Sequence, residues 1–374
     1  MFIALRELRR AKVRFGMLIS AVGLLVFLIL IQQALSDGLV TSFVGAVRNQ
    51  SAPVLVYSVD SQRTLQGSSI NPELQERIEA AEGVGDSGRI GQGTYTVSIN
   101  GGEPTDAAYF GYDSEDLGAP SSLSEGRLPE SEGEAVGSAT DFSVGDTVVV
   151  DAVGGDGPGP EVTLVGLAED AQIQVTPTLF VAWADYEAAA GAANPDASTI
   201  LPSAIALRPA DGVSDDELVE QINADSEDAE ALTRGEAADK APGVAQVRQS
   251  FQVIFLLYAL VVPLVTGLFF LIITFQKSAA LTLLRAIGAS SSVLVRSLLV
   301  QVVIVIGGGL IVGTALYAPL TRVEIGSISL RFDPGAVAFW SALLFVLGLA
   351  SAGVAARRVL AIDPIEATTG GGGR

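Results

Sequence analysis

Hydrophobic and polar positions follow two different rhythms along this chain. Four stretches carry no charged residue: Phe15 to Ser36, Gln249 to Gln276, Ser297 to Thr321 and Pro334 to Ala356. Each exceeds the roughly 20 residues that a helix needs to cross the hydrocarbon core of a bilayer. They predict membrane spans over 15–36, 249–276, 297–321 and 334–356, separated by segments 37–248, 277–296 and 322–333 and flanked by 1–14 and 357–374. One span, a large insert and then three more is an uncommon layout.

The insert reads differently. Val54-Leu55-Val56-Tyr57-Ser58-Val59 predicts a strand, and Thr94 to Ile99 alternates with period two before the hairpin turn Asn100-Gly101. Further strands are predicted over 146–151, 161–167, 178–183 and 203–208, with 154–160 as a loop. Asn71 followed by Pro72 predicts a capped helix with an apolar stripe at Leu74, Ile78 and Ala81. Ser214-Asp215-Asp216-Glu217 is a capping box for a helix through Ile222, and Thr233 to Glu236 has the form of a second. The expected fold is a membrane protein with four transmembrane α-helices, one plus three, and a large extracytoplasmic α+β insert of two small lobes.

Charge assigns the sides. The chain has 49% hydrophobic residues, a mean hydropathy of +0.45 and yet a net charge of −20. Residues 36–249 hold 37 acidic against 9 basic residues, a net of −28, which leaves +8 for the remainder. Arg6, Arg9, Arg10, Lys12 and Arg14 precede the first span; Lys277, Arg285 and Arg296 lie between the second and third; Arg357 and Arg358 follow the fourth. Positive charge in short loops marks the cytoplasmic side. Threading four spans alternately puts all three basic segments on that side, with both termini cytoplasmic and the insert outside. A cleaved signal peptide ending at Ala34-Leu35-Ser36 is the alternative for the first span, but the apolar run is longer than the 7–15 residues of a signal core.

The composition also excludes chemistry. There is no cysteine and no histidine, so no disulfide framework, no thiolate metal site and none of the usual general base or zinc ligand. Asp113-Ser114-Glu115-Asp116 lacks the glycine and distal Glu of a calcium loop, and Gly154-Gly155-Asp156-Gly157 precedes no Gly-Lys-Ser/Thr. The acidity of the insert reads as a solvated surface or, alternatively, as cation attraction. Gln32, Gln33, Gln252, Gln301, Thr266 and Thr274 offer hydrogen bonds between spans, and Gly309 and Gly313 form a small-xxx-small face for helix packing or dimer formation, a spacing repeated by Gly348 and Ala352. Between the second and third spans, Ser278 to Ile287 has helical composition with Gly288 as its stop. Leu283, Leu284 and Ile287 give it an apolar face beside Arg285, suited to lie in the membrane interface or to dock on a cytoplasmic partner.

Leu284-Arg285-Ala286-Ile287-Gly288-Ala289-Ser290 resembles the LRAxGAS signature of the FtsX/MacB-like ABC transporter permeases. Other pieces match in order. Leu5-Arg6-Glu7-Leu8-Arg9-Arg10 resembles the elbow helix of that family. Glu125-Gly126-Arg127-Leu128-Pro129, Val144-Gly145-Asp146-Thr147-Val148 and Val162 to Gly166 resemble the pattern of the MacB-type core domain, and Ala361 to Ala367 resembles the DPxEAL tail with Thr368 in place of Leu. DevC-like members are also similar. The resemblance implies a permease subunit of an exporter or extruder, in the cell membrane, that transmits ATP-driven motion to its outer domain. It implies two copies of a cytoplasmic ABC ATPase, a second permease copy or paralogue, and an extracytoplasmic accessory protein as a further partner, with no nucleic acid. It gives Leu283, Leu284, Arg285, Ile287, Gly288 and Ala289 the coupling role, and Leu5, Arg6, Leu8 and Arg9 the elbow. No catalytic residue, metal or cofactor is expected in this chain, ATP and Mg being bound by the partner. Two other readings compete: an FtsX-like regulator of an outer hydrolase, and a membrane-anchored surface domain that only binds a ligand.

Overall fold

The structure, a computed structural model, describes residues 12–152, 159–197, 199–276, 291–322, 324–325, 328–330 and 332–360. The chain divides into two compact units. One comprises Met1–Ser36, Ser250–Ile325 and Leu330–Arg374; the other comprises Asp37–Gln249 with Gly326–Ser329.

The first unit is helical. It contains the N-terminal part of α1 (Lys12–Asn49), most of α6 (Val244–Gln276), α7 (Ser291–Tyr317) and α8 (Pro334–Leu360). Lys12–Asn49, Val244–Val265 and Leu299–Tyr317 are long and apolar enough to cross a membrane, while the apolar stretch Pro334–Ala350 is shorter among the described residues. Phe15, Val22, Val26 and Ile29 of α1, Val302, Val305 and Ile306 of α7, and Trp340 and Leu344 of α8 form one buried cluster. Glycines set how closely the helices approach. A Cβ on Gly313 would lie 2.6 Å from both the Gly23 carbonyl oxygen and Val26 Cβ, and one on Gly309 would run into Val22. Gly309 and Gly313 therefore seat α7 on α1 of the same chain, as small residues do where helix backbones meet. Gly348 does the same for α8 against Ile306. Trp340 Nε1 donates to Gln33 Oε1 at 3.3 Å, linking α8 to α1. On α6, Leu256, Leu260, Leu264 and Leu268 are all more than half exposed.

The second unit is α+β, with ten strands in one hydrogen-bonded network. Its first part comprises β1 (Val54–Ser58), α2 (Pro72–Glu79), β2 (Val84–Ile99), β9 (Ala204–Pro209), α4 (Asp215–Asp225) and β10 (Ala229–Thr233). The spatial order β10-β1-β9-β2, antiparallel throughout, is the split β-α-β arrangement of ferredoxin-like motifs. Both helices are capped as their sequences predict. Asn71 Oδ1 accepts from Leu74 N at 2.8 Å with Pro72 opening α2, and Ser214 forms a full capping box with Glu217 on α4.

Between β2 and β9 the chain inserts β3 (Pro104–Tyr112), β4 (Glu125–Gly126), β5 (Glu134–Ser138), β6 (Thr147–Val150), β7 (Glu161–Ala168), β8 (Thr178–Ala182) and α3 (Trp183–Ala193). Strands β2-β3-β8-β5-β7-β6 are bonded in that sequence, and β6 pairs back with β2 at Val97 to Ile99, so the six close into a small barrel. Val97, Tyr109, Ala135, Val148, Leu164 and Leu179, one from each strand, meet in one apolar cluster. The 16-residue β2 serves both parts: Val84 to Ile90 pair with β9, and Ile90 to Ser98 pair with β3.

β1 is buried on both faces. Val54 and Val56 pack against Leu74 and Ile78 of α2 and Leu218 and Ile222 of α4. Leu55 and Tyr57 join Val40, Val44 and Val47 of α1, Ala237 of α5 (Arg234–Asp239) and Val244 of α6. The sheet is thus covered on one face by its own crossover helices. On the other face lie the end of α1, α5 and the start of α6.

Candidate functional site

The coupling residues Leu283, Leu284, Arg285, Ile287, Gly288 and Ala289, the elbow residues Leu5, Arg6, Leu8 and Arg9, and the 361–367 tail lie outside the described residues. The motifs of the α+β unit are described, and they build turns. Gly126 (φ 76°) and Gly166 sit where β4 crosses β7, each too close to the opposite backbone for a Cβ. Next to them Arg127 grips Glu134 with two parallel bonds, Nη1 to Oε2 at 2.7 Å and Nη2 to Oε1 at 2.6 Å. That charge-assisted fork lowers the Glu134 carboxyl from its ordinary 4.5 to about 2, with help from the Glu130 and Ser131 backbone. Asp146 accepts from Ser143 N and from Asn100 Nδ2, both at 2.8 Å, while Asn100 Oδ1 accepts from Thr147 N at 2.9 Å. The GD turn and the Asn100-Gly101 hairpin thereby hold each other, with Asn100 and Gly101 at φ 52° and 69°.

A further cluster of contacts in the α+β unit lies where α1 ends and α6 begins. α1 is interrupted at Val44, whose φ of −133° and ψ of 15° are not helical. A regular helix would bond Ala46 N to Ser42 O. Here the 170–176 loop takes both groups: Ala46 N donates to Gln172 O at 2.9 Å, and Ser42 O accepts from Val175 N at 2.8 Å. Gln174 N adds a bond to Phe43 O at 3.0 Å. Insertion of outside groups into the i→i−4 ladder is a recognised cause of a helix kink. Gly45 permits it, because a Cβ there would lie 2.8 Å from the Asp170 carbonyl carbon. Gln174 and Val175 adopt φ of 53° and 62° to reach the helix. For a β-branched residue such a φ is strained, and the bonds to α1 hold it.

One turn further on, Arg48 Nη2 donates to Asp239 Oδ1 at 3.0 Å, and Arg248 Nη2 reaches the same oxygen at 2.7 Å. Asp239 ends α5, so one carboxylate ties the end of α1 to the start of α6. The chain leaving α1 is fastened too: Arg234 Nη1 donates to Gln50 O at 2.9 Å, and Arg234 N to Pro53 O at 2.8 Å. Thr233 caps α5 by accepting from Glu236 N. Within the α+β unit, backbone bonds and ion pairs thus fasten the end of α1 and the start of α6. Among the described residues no group of three or more acidic side chains is placed to hold a metal ion.

Sequence reasoning passed over Arg48, Asp239, Arg248 and Gly45. A signal was present, since Arg48 and Arg248 are basic residues near predicted spans on the side expected to face out, where the charge rule does not favour them. Gly45 carries no such mark. Only the loop from 125 residues further along the chain explains it.

No protein-family model matches the chain. A protein of Staphylococcus haemolyticus (strain JCSC1435) named as a hemin transport system permease, HrtB, is 23% identical over 385 residues, covering 99% of both chains. Among solved structures, the extracellular domain of the noncanonic ABC-type transporter YknZ from Gram-positive bacteria matches 48% of this chain and 98% of its own, at 15% identity and a TM-score of 0.32. The periplasmic region of MacB from Actinobacillus actinomycetemcomitans matches 50% of this chain and 92% of its own, at 10% identity and a TM-score of 0.34. Over its full length the chain is similar to a permease, which is consistent with the resemblance of its ordered motifs to those of the FtsX/MacB-like ABC transporter permeases.

Proposed function

We propose that this chain is the permease subunit of an ABC transporter of the exporter or extruder type, and that it carries ATP-driven motion from a cytoplasmic ATPase to its outer domain. The observation that carries this reading is the base of the α+β unit. α1 runs past its apolar stretch to Asn49 with a kink at Val44, and Arg48, Asp239 and Arg248 bind its end to the start of α6.

In this reading the chain has four spans, both termini in the cytoplasm and the α+β unit outside. Its ferredoxin-like part and its barrel are the two lobes. Two ATPase copies bind a pair of permeases, each through Leu283 to Ala289, and the ATPases supply all hydrolysis. The relative's hemin is a property of that protein, and the substrate here is left open.

The test is made at the cytoplasmic loop. Leu284→Asp places a charge in an apolar contact, and Gly288→Val places a β-branched residue where the loop calls for a helix-ending glycine. Both variants should insert in the membrane normally and lose ATPase association and permease-stimulated turnover. Wild-type association in both would remove the coupling role. A cysteine at Ser114 should react with an impermeant maleimide in intact cells and one at Ser291 should not; the reverse pattern would overturn the topology.

A further inference from the structure

Within the α+β unit, one section of α1 has two sets of backbone partners open to it. Val44 forms a single antiparallel β-bridge with Ile173 of the 170–176 loop. Around that bridge Ala46 N donates to Gln172 O at 2.9 Å, and Ser42 O accepts from Val175 N at 2.8 Å. Those two α1 groups are the pair that a continuous helix joins to each other. Val44 is the residue inside α1 whose dihedrals are not helical, and returning it to helical φ and ψ restores that bond.

The loop has its own footing on the barrel. Gln172 Nε2 donates to Asp141 Oδ2 at 2.6 Å, and Ile173 N donates to Thr178 Oγ1 at 3.0 Å. The reach to α1 is made by Gln174 and Val175, at φ of 53° and 62°. Holding α1 keeps three backbone bonds, from Ala46, Gln174 and Val175. Letting go relieves the strained φ of a β-branched residue and gives Ala46 N back to Ser42 O. Strain on one side and bonds on the other bring the two arrangements close in free energy.

Two further observations favour such a change. A cavity of about 50 Å³ lies against the joint, lined on that side by Phe43, Val44, Val47, Ile173 and Gln174. These side chains therefore have space to reseat, which a close-packed interior denies. Gly45 faces the loop: the three atoms nearest to a Cβ there belong to Asp170 and Gln172. Glycine is thus required while the loop is seated and is a poor choice for a continuous helix.

We propose that the 170–176 loop is a releasable latch, and that α1 alternates between a kinked form held by the loop and a continuous helix in which Ala46 N bonds Ser42 O. The claim is independent of the transport reading and is tested without an ATPase.

Residue-resolved hydrogen exchange on the full chain in detergent decides it, because Ala46 has a partner in both forms whereas Gln174 and Val175 have theirs only in the kinked one. Gly45→Ala expels the loop and favours the helix. Exchange at Gln174 and Val175 should quicken about tenfold or more, while Ala46 stays protected and Leu55 and Val56 in β1 report an intact fold. Ala46 quickening in step with the other two would mean that the joint merely opens, and no quickening at all would mean that there is no latch; either overturns the proposal. Val175→Gly removes the strain and is the opposite variant. It should slow exchange at Gln174 several-fold and leave Ala46 unchanged. If Gly45→Ala does not fold, Val175→Gly decides: slowing confined to the loop supports the latch, and unaltered exchange at Gln174, or equal slowing at Ala46, overturns it.

Discussion

Arg48 and Arg248 lie 200 positions apart in sequence and donate to a single carboxylate oxygen, Asp239 Oδ1. The three side chains are each 40–50% exposed, so either pair alone is worth about 0.2–1 kcal/mol. The geometry matters more than the energy. Losing one arginine leaves the other free to keep the acid, whereas losing Asp239 leaves two cations facing each other.

The first prediction follows from that sharing. Arg48→Gln and Arg248→Gln should each lower thermal stability slightly, and together by more than the sum of the two. Asp239→Ala should cost about 1 kcal/mol or somewhat more, in excess of either arginine variant. A double-mutant cycle on the purified full chain measures this; strict additivity would mean that the two arginines do not share the acid.

Gly45→Val should be damaging although the site is in a helix. The added side chain collides with the Asp170 carbonyl and forces the 170–176 loop off α1. Overpacking of this kind costs about 1–3 kcal/mol. Thermal melts of the full chain should show the loss. An unchanged melt would show that the loop is not held to the kink.

Within the helical unit, Gly313→Val should break the seat of α7 on α1, since its Cβ position lies 2.6 Å from the Gly23 carbonyl oxygen. Gly307→Ala is the control, because nothing stands within 4 Å of a Cβ there. Detergent stability should fall for the first and stay level for the second. Equal behaviour would mean that the glycine face serves a different contact.

The Arg127–Glu134 fork predicts a pH dependence. The Glu134 carboxyl is held at about 2, below its ordinary 4.5, so the fork's contribution is complete above 4.5 and is lost as pH falls toward 2. Glu134→Gln should therefore melt lower than wild type at neutral pH, with the two curves converging on acidification. A gap that stays constant from pH 7 to pH 3 would contradict the assignment.

Much of this was legible in the sequence because the signals were local. The Asn71 cap, the Ser214 capping box, the Asn100-Gly101 turn and strands β1, β6, β7, β8 and β9 are set by residues within a few positions of one another. Strand β5, Glu134-Ala135-Val136-Gly137-Ser138, escaped because it is short, lacks alternation and is defined by its neighbours β7 and β8. The first half of β2 escaped for a related reason: Val84-Gly85-Asp86-Ser87-Gly88 reads as a turn, and only pairing with β9 keeps it extended. The first span is predicted over 15–36, and the helix that contains it runs on to Asn49, since the domain supplies an apolar surface for Val40, Val44 and Val47. The pairing of Arg48 and Arg248 on Asp239 was marked only by the position of its two arginines, and Gly45 by nothing, because their partners meet only in the folded chain.

The most direct test of the central claim is hydrogen exchange at the kink, in the full chain bound to its ATPase. The amides of Ala46, Gln174 and Val175 are the ones whose bonds join the 170–176 loop to α1. If ATP-driven motion is carried through this joint, their protection should differ between the nucleotide-free complex and one trapped with ATP, while Leu55 and Val56 in the core of β1 exchange alike in both. Identical protection of Ala46, Gln174 and Val175 in the two states would contradict the account.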